Sequence, residues 1–447
     1  MGYASTMASL VARDRACIWH PFTQMKTAPD PLPIVGGDGA YLVTEDGRRI
    51  LDGISSWWVN VHGHCNPKVS QALAQQAQRL EHVMFAGCTH PPAVELAERL
   101  LAKLPRNLNK VFFSDNGSTS VEVALKMAYQ YWTNRGEHQR RTFLALKHAY
   151  HGDTVGAMSA SHDSLFTASY APLLFHVERV AVPQDYLASL DPANDGSATA
   201  PLTEFEDLLR SRCDEIAAVI VEPMLQAAGG MLVWKPQMLR MLRELCDRYG
   251  LLLIADEVMT GFGRTGKMFA CEHGPIEPDL MCLSKGLTAG YLPLSLTVAS
   301  DAVYEAFLSD DRSKTFFHGH SFTANPLGCA VALAGLDIFE NDGVLERVSR
   351  ISSKMRGRLQ ALVGREYTKD ARQIGGVGIL ELETGGEGYL ANIGPRMAAL
   401  FLERDLLLRP NGGIVYFMPP YVVTDDEIDW VFDQIEEVVS AATQAAG

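Results

Sequence analysis

Short, almost entirely apolar segments alternate with helical patterns between residues 66 and 330, and this alternation constrains the fold more than any other feature of the sequence. Strands that are apolar on both faces are typical of a parallel sheet covered by helices on both sides. We therefore predict an α/β fold whose large domain holds a mainly parallel sheet between helices. The predicted strands of this domain are residues 111–113, 142–146, 177–182, 217–221, 251–255, 280–283 and 294–299.

The two ends of the chain have a different pattern, with shorter strands and long amphipathic helices. The N-terminal segment has two strand-like runs joined by a turn at Asp46-Gly47, which is too little for a stable sheet. We predict that residues 1–65 complete a small α+β domain formed with residues 331–447, and that residues 66–330 form the large domain. The predicted strands of the C-terminal part are residues 377–383, 406–409 and 414–418.

The charge balance and the cysteines restrict the class of partner and the compartment. The chain has 39 Lys and Arg against 53 Asp and Glu, a formal net charge of −14, and no basic run. This excludes the usual signature of a nucleic-acid or anionic-membrane binder and favours small-molecule partners. Eight cysteines are scattered without a CxxC pair, as expected of reduced thiols in a cytosol. The first ten residues lack the pattern of a secretory signal, so a cytoplasmic location is expected, with Met1 or Met7 as the start.

A single lysine, Lys285, follows the apolar run 280–283 and precedes Gly286. Lysine held in an apolar site loses hydration, so its pKa falls and its neutral amine becomes a nucleophile toward carbonyl groups. The alternative interpretation is that Lys285 runs along the surface and places its ammonium in water.

Residues 114–122 follow a predicted strand and open a predicted helix. They contain Asn116, Gly117 and Ser118, and the Thr119 and Glu122 pair has the spacing of a capping box. The free amides of a helix N-terminus beside glycine and hydroxyl groups form a phosphate site. An ordinary capped turn explains the same residues.

Two acids, Asp256 and Glu257, end the apolar strand 251–255. Neighbouring strand residues face opposite sides, so one of the two carboxylates can enter a given pocket. A buried carboxylate needs a cationic partner, and a protonated pyridine nitrogen is suitable. A carboxylate satisfied by a neighbouring loop is the alternative.

The loop 261–268 matches two nucleotide-binding patterns only in part. The P-loop pattern requires Ser or Thr after its lysine, where this chain has Met268. The dinucleotide pattern requires glycines directly after a strand, but Asp256 and Glu257 intervene. The histidine pairs His62/His64 and His318/His320 have no acid or cysteine at metal-site spacing, so no metal is predicted.

Aromatic and basic residues supply the remaining candidate contacts. Tyr150 follows a predicted strand and can stack on a flat ring. Trp57 and Trp58 lie in a segment expected to be extended, which would direct one to the core and the other to a pocket. Arg409, at the end of a predicted strand, suits a substrate carboxylate, although a surface arginine is the alternative.

Together and in this order, these segments resemble the class-III aminotransferases of the fold-type I pyridoxal phosphate-dependent enzymes, over residues 19–420. The motifs that carry the resemblance are Gly117-Ser118, Tyr150-His151-Gly152-Asp153, Glu222-Pro223, Asp256-Glu257-Val258, the loop 261–266 and Ser284-Lys285-Gly286. Further residues resemble the branch of the family that acts in biotin biosynthesis: 18–21, 55–58, 82–85, 408–410 and 416–421.

The resemblance implies the cofactor, the substrates and the role of each candidate residue. The cofactor would be pyridoxal 5′-phosphate, the amino donor S-adenosylmethionine, and the acceptor 8-amino-7-oxononanoate. The implied catalytic residues are Lys285, which binds the cofactor covalently and moves the proton, Asp256 at the pyridine nitrogen and Tyr150 on the ring face. The implied phosphate ligands are Gly117, Ser118 and the partner subunit's Ser321 in a homodimer. The implied substrate-binding residues are Trp57, Tyr150, Lys285, Gly319, Arg409 and Tyr416.

Two departures from the family pattern and three alternatives stay open. Phe22 stands where some relatives have tyrosine, and His320-Ser321 stands where others have Pro-Thr. Another class-III aminotransferase, acting on a diamine or an ω-amino acid, is the main alternative, and lysine is an alternative donor. A non-catalytic protein of the same fold and a nucleotide-binding enzyme are the other two.

Overall fold

The computed structural model describes residues 9–383 and 393–444, and its centre is a sheet of seven strands. The strands, in spatial order, are Leu108–Ser114, Ser295–Ser300, Leu280–Leu283, Leu252–Asp256, Ile216–Val221, Thr142–Leu146 and Val177–Val180. Ser295–Ser300 runs antiparallel to both of its neighbours, and the pairings from Leu280–Leu283 to Val177–Val180 are parallel. The predicted mainly parallel α/β sheet is confirmed.

Helices cover both faces of this sheet, which is why its four strands from Ser295–Ser300 to Ile216–Val221 are buried along their whole length. All six residues of Ile216–Val221 and all five of Leu252–Asp256 are buried. The helix Pro236–Tyr249 begins with proline in its first turn and ends at Gly250 in the left-handed conformation, as helix termini favour. The other helices of at least five residues are Leu10–Cys17, Pro67–Ala77, Pro91–Leu101, Gly117–Asn134, Val155–Ala160, Thr203–Arg212, Asp301–Glu305, Pro326–Asn341, Val344–Gln360, Ile393–Leu402 and Asp425–Gln444.

A four-stranded sheet joins the two ends of the chain, and a three-stranded sheet lies within the C-terminal part. The antiparallel strands Ile34–Asp38, Tyr41–Thr44 and Arg49–Asp52 are extended by Leu406–Leu407, which pairs in parallel with Arg49–Asp52. The second sheet consists of Thr368–Ile374, Val377–Leu382 and Ile414–Phe417. The N-terminal segment therefore pairs with the C-terminal part of the chain, while the domain boundaries at residues 65 and 330 stay a prediction.

The segment that carries the paired tryptophans differs from the expectation. Ser55–Trp58 is a left-handed turn and not an extended segment, with φ of 51°, 46°, 69° and 75° at its four residues. Left-handed backbone is costly for residues other than glycine, so tertiary contacts must hold it. Ser55 Oγ donates to Met418 O at 2.7 Å, and Asp52 accepts from the Ser56 amide at 2.9 Å and hydroxyl at 2.7 Å.

No helix among residues 9–383 and 393–444 is long and apolar enough to cross a membrane. Residues 1–8 lie outside the described residues. They include most of the segment on which the expectation of no secretory signal and of a start at Met1 or Met7 rests.

Candidate active site

A cavity of about 410 Å³ lies at the carboxyl ends of two adjacent parallel strands of the central sheet. Asp256, the last residue of its strand, pairs with Cys282, and Lys285 follows three residues beyond. The N-terminus of the helix Gly117–Asn134 closes another side. The residues that line this cavity are Trp58, Asn116, Gly117, Ser118, Tyr150, His151, Gly152, Asp153, Thr154, Glu222, Asp256, Val258, Met259 and Lys285.

Lys285 is partly buried, in the left-handed conformation with φ 48°. Its Nζ lies 4.9 Å from the centroid of the Trp58 ring. Loss of hydration lowers the pKa of Lys285 from its ordinary value to about 8, against the opposing attraction of Asp256 and Glu222. A substantial fraction of the amine is therefore neutral near neutral pH, as a nucleophile requires.

Asp256 is 4% exposed and makes two hydrogen bonds in the described chain. Its Oδ2 lies 2.7 Å from His151 Nδ1, and its Oδ1 accepts from the Val258 amide at 3.1 Å. Glu257 points the other way, as strand alternation requires, and accepts from Thr260 Oγ1 and from two backbone amides of residues 270–271. Of the two acids, only Asp256 faces the cavity.

The helix that opens at Gly117 is capped by Asn116. The Asn116 side chain accepts from the Thr119 amide at 3.1 Å, and Thr119 Oγ1 accepts from the Asn116 amide at 3.1 Å. The predicted Thr119–Glu122 capping box is therefore wrong, because Glu122 instead accepts from the Gly156 amide at 2.6 Å. In the described chain the amides of Gly117 and Ser118 have no acceptor, which leaves them available to an anion.

Two glycines allow the segments around this helix terminus to pack closely. A Cβ at Gly117 would lie 2.5 Å from Val258 Cγ1, and one at Gly152 would lie 2.3 Å from Ser118 Oγ. Ser118 Oγ is also 2.7 Å from Thr154 Oγ1 and accepts from the Thr154 amide at 3.0 Å. A cradle of free amides and a hydroxyl at one end, with Asp256 and Lys285 elsewhere on the same cavity, fits pyridoxal phosphate.

Tyr150 and Glu222 form one wall of the cavity. The Tyr150 amide donates to Glu222 Oε1 at 2.8 Å, and its hydroxyl bonds to Asp153. Burial and then Asp153 raise the pKa of Tyr150 above its ordinary value, so the phenol stays protonated. Glu222 is 5% exposed, and burial raises its pKa to about 7.

A second cavity of about 390 Å³ continues from the first and shares Trp58, Tyr150, Asp153 and Lys285 with it. The Arg409 guanidinium carbon lies 4.4 Å from the Trp57 ring centroid, and Trp58 Nε1 donates to Tyr416 Oη at 3.2 Å. The remaining residues that line it are Phe22, Phe166, Ala227, Ala228, Met231, Pro410 and Asn411, together with Trp57, Arg409 and Tyr416. This cavity is mostly apolar, with one guanidinium at its wall.

The first five residues of the loop 261–268 are part of the protein interior. Arg264 is 1% exposed, and burial lowers its pKa below the ordinary value. It donates to the carbonyls of Asn60 and Pro419 at 2.9 Å and of Trp58 at 3.4 Å. The glycines that suggested a nucleotide site instead allow close packing inside the protein, Gly263 against Tyr421 and Gly266 against Gly375.

Gly319 and Ser321 do not join the other predicted residues within the described chain. Both are exposed and line neither of the two cavities. Phe317 and Phe322 beside them are 76% and 62% exposed. The remaining predicted residues all line one or both cavities.

Four contributors to the site received no role from the sequence. His151 and Glu222 belong to the quoted motifs, but their contacts with Asp256 and Tyr150 join residues 105 and 72 positions apart. Trp58 follows Trp57 in the sequence, and Arg264 lies in the glycine-rich loop. A charged residue within a loop of buried apolar and glycine residues was the signal for Arg264.

Comparisons with known proteins found similar sequences and similar structures. The aminotransferase class-III family matches residues 23–439. The chain is 47% identical to the adenosylmethionine-8-amino-7-oxononanoate aminotransferase of Synechococcus elongatus, over 94% of this chain and 98% of that protein. A crystal structure of the enzyme of that name from Methanocaldococcus jannaschii has a TM-score of 0.91 and 36% identity, covering 97% of this chain and 98% of the other. An amine transaminase from an uncultivated Pseudomonas species, crystallised with PLP bound, has a TM-score of 0.88 and 34% identity, covering 95% and 98%.

Proposed function

The chain belongs to the aminotransferase class-III family, and we propose that it moves an amino group from S-adenosylmethionine to 8-amino-7-oxononanoate, giving 7,8-diaminononanoate in biotin biosynthesis. The observation that carries the proposal is the meeting of Lys285, Asp256 and the helix terminus at Gly117 in one cavity that continues into a second one bearing Arg409.

The proposed cofactor is pyridoxal 5′-phosphate. Lys285 would bind it covalently, Asp256 would face its pyridine nitrogen, and Tyr150 would cover its ring. The amides of Gly117 and Ser118 would hold its phosphate. The support for these roles is that a cation-seeking carboxylate, an amine of lowered pKa and unpaired amides line the same cavity.

The cofactor supplies an aldehyde that takes up the donor's amine and a ring that withdraws electrons from the neighbouring carbon. The protein supplies the proton transfers. With the cofactor bound, the Lys285 amine would be the base that takes the proton from the substrate's amine-bearing carbon. Its lowered pKa, about 8, makes that proton transfer efficient near neutral pH. His151 holds Asp256 in a fixed orientation from the side opposite its bond to the Val258 amide.

The second cavity is the proposed substrate channel. Arg409 is the proposed partner of the substrate carboxylate, since guanidinium and carboxylate groups pair through two parallel hydrogen bonds. Trp57 supports Arg409 through their contact at 4.4 Å, and Tyr416 is oriented by Trp58. Phe22 packs edge-on against Trp57 at 5.5 Å, so this end of the channel lacks a hydroxyl.

We further propose a homodimer in the cytoplasm, in which the partner subunit's Ser321 completes the phosphate site. The exposed loop that holds Gly319, with Phe317 and Phe322 beside it, is the proposed contact surface. All eight cysteines are free thiols, in keeping with a reducing compartment.

A half-reaction assay tests the proposal. Purified protein saturated with cofactor is mixed with S-adenosylmethionine, lysine, a diamine or an ω-amino acid, and loss of the visible absorption of the lysine-bound cofactor is followed. We expect S-adenosylmethionine to remove this absorption and 8-amino-7-oxononanoate to restore it, with ping-pong kinetics in steady state. Failure of 8-amino-7-oxononanoate to restore it after any donor would contradict the proposed substrate, and efficient turnover of the diamine or the ω-amino acid would support the alternative.

A further inference from the structure

One wall of the substrate channel is the tip of a two-stranded hairpin. Leu225–Gln226 pairs with Leu232–Val233, and we call the intervening residues 227–231 the hairpin tip. Ala227, Ala228 and Met231 of this tip line the channel. Ala227 and Ala228 have little side-chain bulk, so the position of the tip's backbone contributes to the width of the channel.

The backbone of the hairpin tip is conformationally demanding. Gly230 has φ 112° and Met231 has φ 53°, both in the left-handed region. A Cβ at Gly229 would lie 1.7 Å from the His148 carbonyl oxygen, so the tip is pressed against a neighbouring segment. Such a conformation persists only where surrounding groups hold it.

Arg372, on the strand Thr368–Ile374, holds the tip from outside the channel. Its Nε donates to the Met231 carbonyl at 3.1 Å, and its Nη2 donates to the Gly230 carbonyl at 3.1 Å. The side chain is 5% exposed, and its Nη1 lies 2.7 Å from a carboxylate oxygen of Asp370 and of Glu381. The two carboxylates fix the guanidinium, and its planar fork then fixes two consecutive carbonyls.

A third carbonyl of the tip is also held by a residue from the C-terminal part of the chain. Asn411 Nδ2 donates to the Ala228 carbonyl at 3.1 Å, two residues after Arg409 in the sequence. On the other side, the Ala227 amide donates to Glu222 Oε2 at 3.2 Å. The tip is therefore held at Ala228, Gly230 and Met231 by the C-terminal part of the chain.

We propose that Arg372 is a positioning residue for substrate specificity, which sets the width of the substrate channel by holding the Gly230 and Met231 carbonyls. Arg372 is not among the residues that line the channel, so it acts through the hairpin tip and not by contact with substrate. This proposal rests on the proposed function in one respect only, which is the identity of the substrate.

The test compares Arg372→Lys with Lys369→Gln in the cofactor-loaded enzyme. Lysine keeps a positive charge near Asp370 and Glu381 but cannot direct two donors at two carbonyls, so the fold is kept and the tip is released. Lys369 also pairs with Glu381, at 2.8 Å, and makes no bond to the tip in the described chain, so it is the matched control.

For Arg372→Lys we expect faster backbone hydrogen exchange in a peptide covering residues 225–233, and a KM for 8-amino-7-oxononanoate raised about three- to tenfold with kcat changed less than about twofold. Lys369→Gln leaves both quantities at the wild-type value. Asn411→Ala, which releases the Ala228 carbonyl, is the second variant and should accelerate exchange in the same peptide.

Wild-type exchange in both tip variants would overturn the proposal, and so would faster exchange in Arg372→Lys with an unchanged KM. If Arg372→Lys does not fold, Arg372→Gln replaces it in the same two measurements, because Asn411 itself lines the channel and its KM would not isolate the tip. If the wild-type enzyme does not turn over 8-amino-7-oxononanoate, the proposed function fails. Hydrogen exchange then still reports whether Arg372 holds the tip. The KM is in that case measured for the amino acceptor that the enzyme does turn over.

Discussion

His151 Nδ1 lies 2.7 Å from Asp256 Oδ2, and both side chains are almost completely buried. The imidazole orients the carboxylate, so that Asp256 can serve a cation on the cavity side. This pair joins the carboxyl ends of two strands of the central sheet, Thr142–Leu146 and Leu252–Asp256, through the residues that follow or end them.

Asp256→Asn should reduce the rate of the donor half-reaction by about 100-fold, because a neutral amide cannot stabilise the protonated pyridine nitrogen. Stopped-flow measurement of a single half-reaction checks this without interference from product release. The control is Asp337→Asn. Asp337 is a largely exposed aspartate that pairs with Arg99, and its replacement should have no effect on the rate. An Asp256→Asn rate within twofold of wild type would show that the carboxylate does not serve the ring.

The capture of pyridoxal phosphate by cofactor-free enzyme should depend on pH through Lys285. Burial lowers the pKa of Lys285 to about 8, so the neutral amine is the minor form below pH 8 and the major form above it. The rate at which the visible absorption appears should therefore rise with pH, reach half of its maximum near pH 8, and then level off. A midpoint near the ordinary lysine pKa of about 10.4 would mean that Lys285 is hydrated.

Gly117→Ala should weaken cofactor binding by about 10- to 100-fold, because its Cβ would lie 2.5 Å from Val258 Cγ1 and displace the helix terminus. The matched control is Gly357→Ala in the helix Val344–Gln360, where a Cβ would meet nothing within 4 Å. That control should leave cofactor affinity unchanged and stabilise the protein by about 0.5–1 kcal/mol. Equilibrium titration of cofactor-free protein, with thermal unfolding of each variant, measures both effects.

Arg409→Lys should raise the KM for 8-amino-7-oxononanoate by about 10- to 100-fold, since lysine cannot form the paired hydrogen bonds to a carboxylate. It also loses the planar contact with Trp57. An otherwise matched ketone without the carboxylate should be turned over by the wild type and the variant at similar efficiency. If the variant lost the same catalytic efficiency with both acceptors, Arg409 would not be the partner of the substrate carboxylate.

The central sheet could be predicted because each of its strands carries the information locally. Ile216–Val221 is apolar at every position, and its helical neighbours have the period of an amphipathic helix. The carboxyl ends of adjacent parallel strands meet at one sheet edge, which is why Asp256 and Lys285 could be expected together before the structure was known.

Features stabilised by distant partners could not be predicted in this way. The left-handed turn Ser55–Trp58 contradicts local propensity and depends on Met418, more than 350 residues away. The strand Thr368–Ile374 was missed because its sequence is polar, and its Arg372 is buried only because Asp370 and Glu381 pair with it. Arg264 resembled part of a nucleotide loop until its carbonyl partners were visible.

The most direct test of the whole account is the Lys285→Ala variant, measured with saturating pyridoxal phosphate. We expect a folded protein with wild-type circular dichroism, no visible absorption from a lysine-bound cofactor, and turnover of S-adenosylmethionine and 8-amino-7-oxononanoate reduced by more than about 1,000-fold. A folded variant that turned over both substrates at the wild-type rate would contradict the assignment of Lys285, and with it the account of the site.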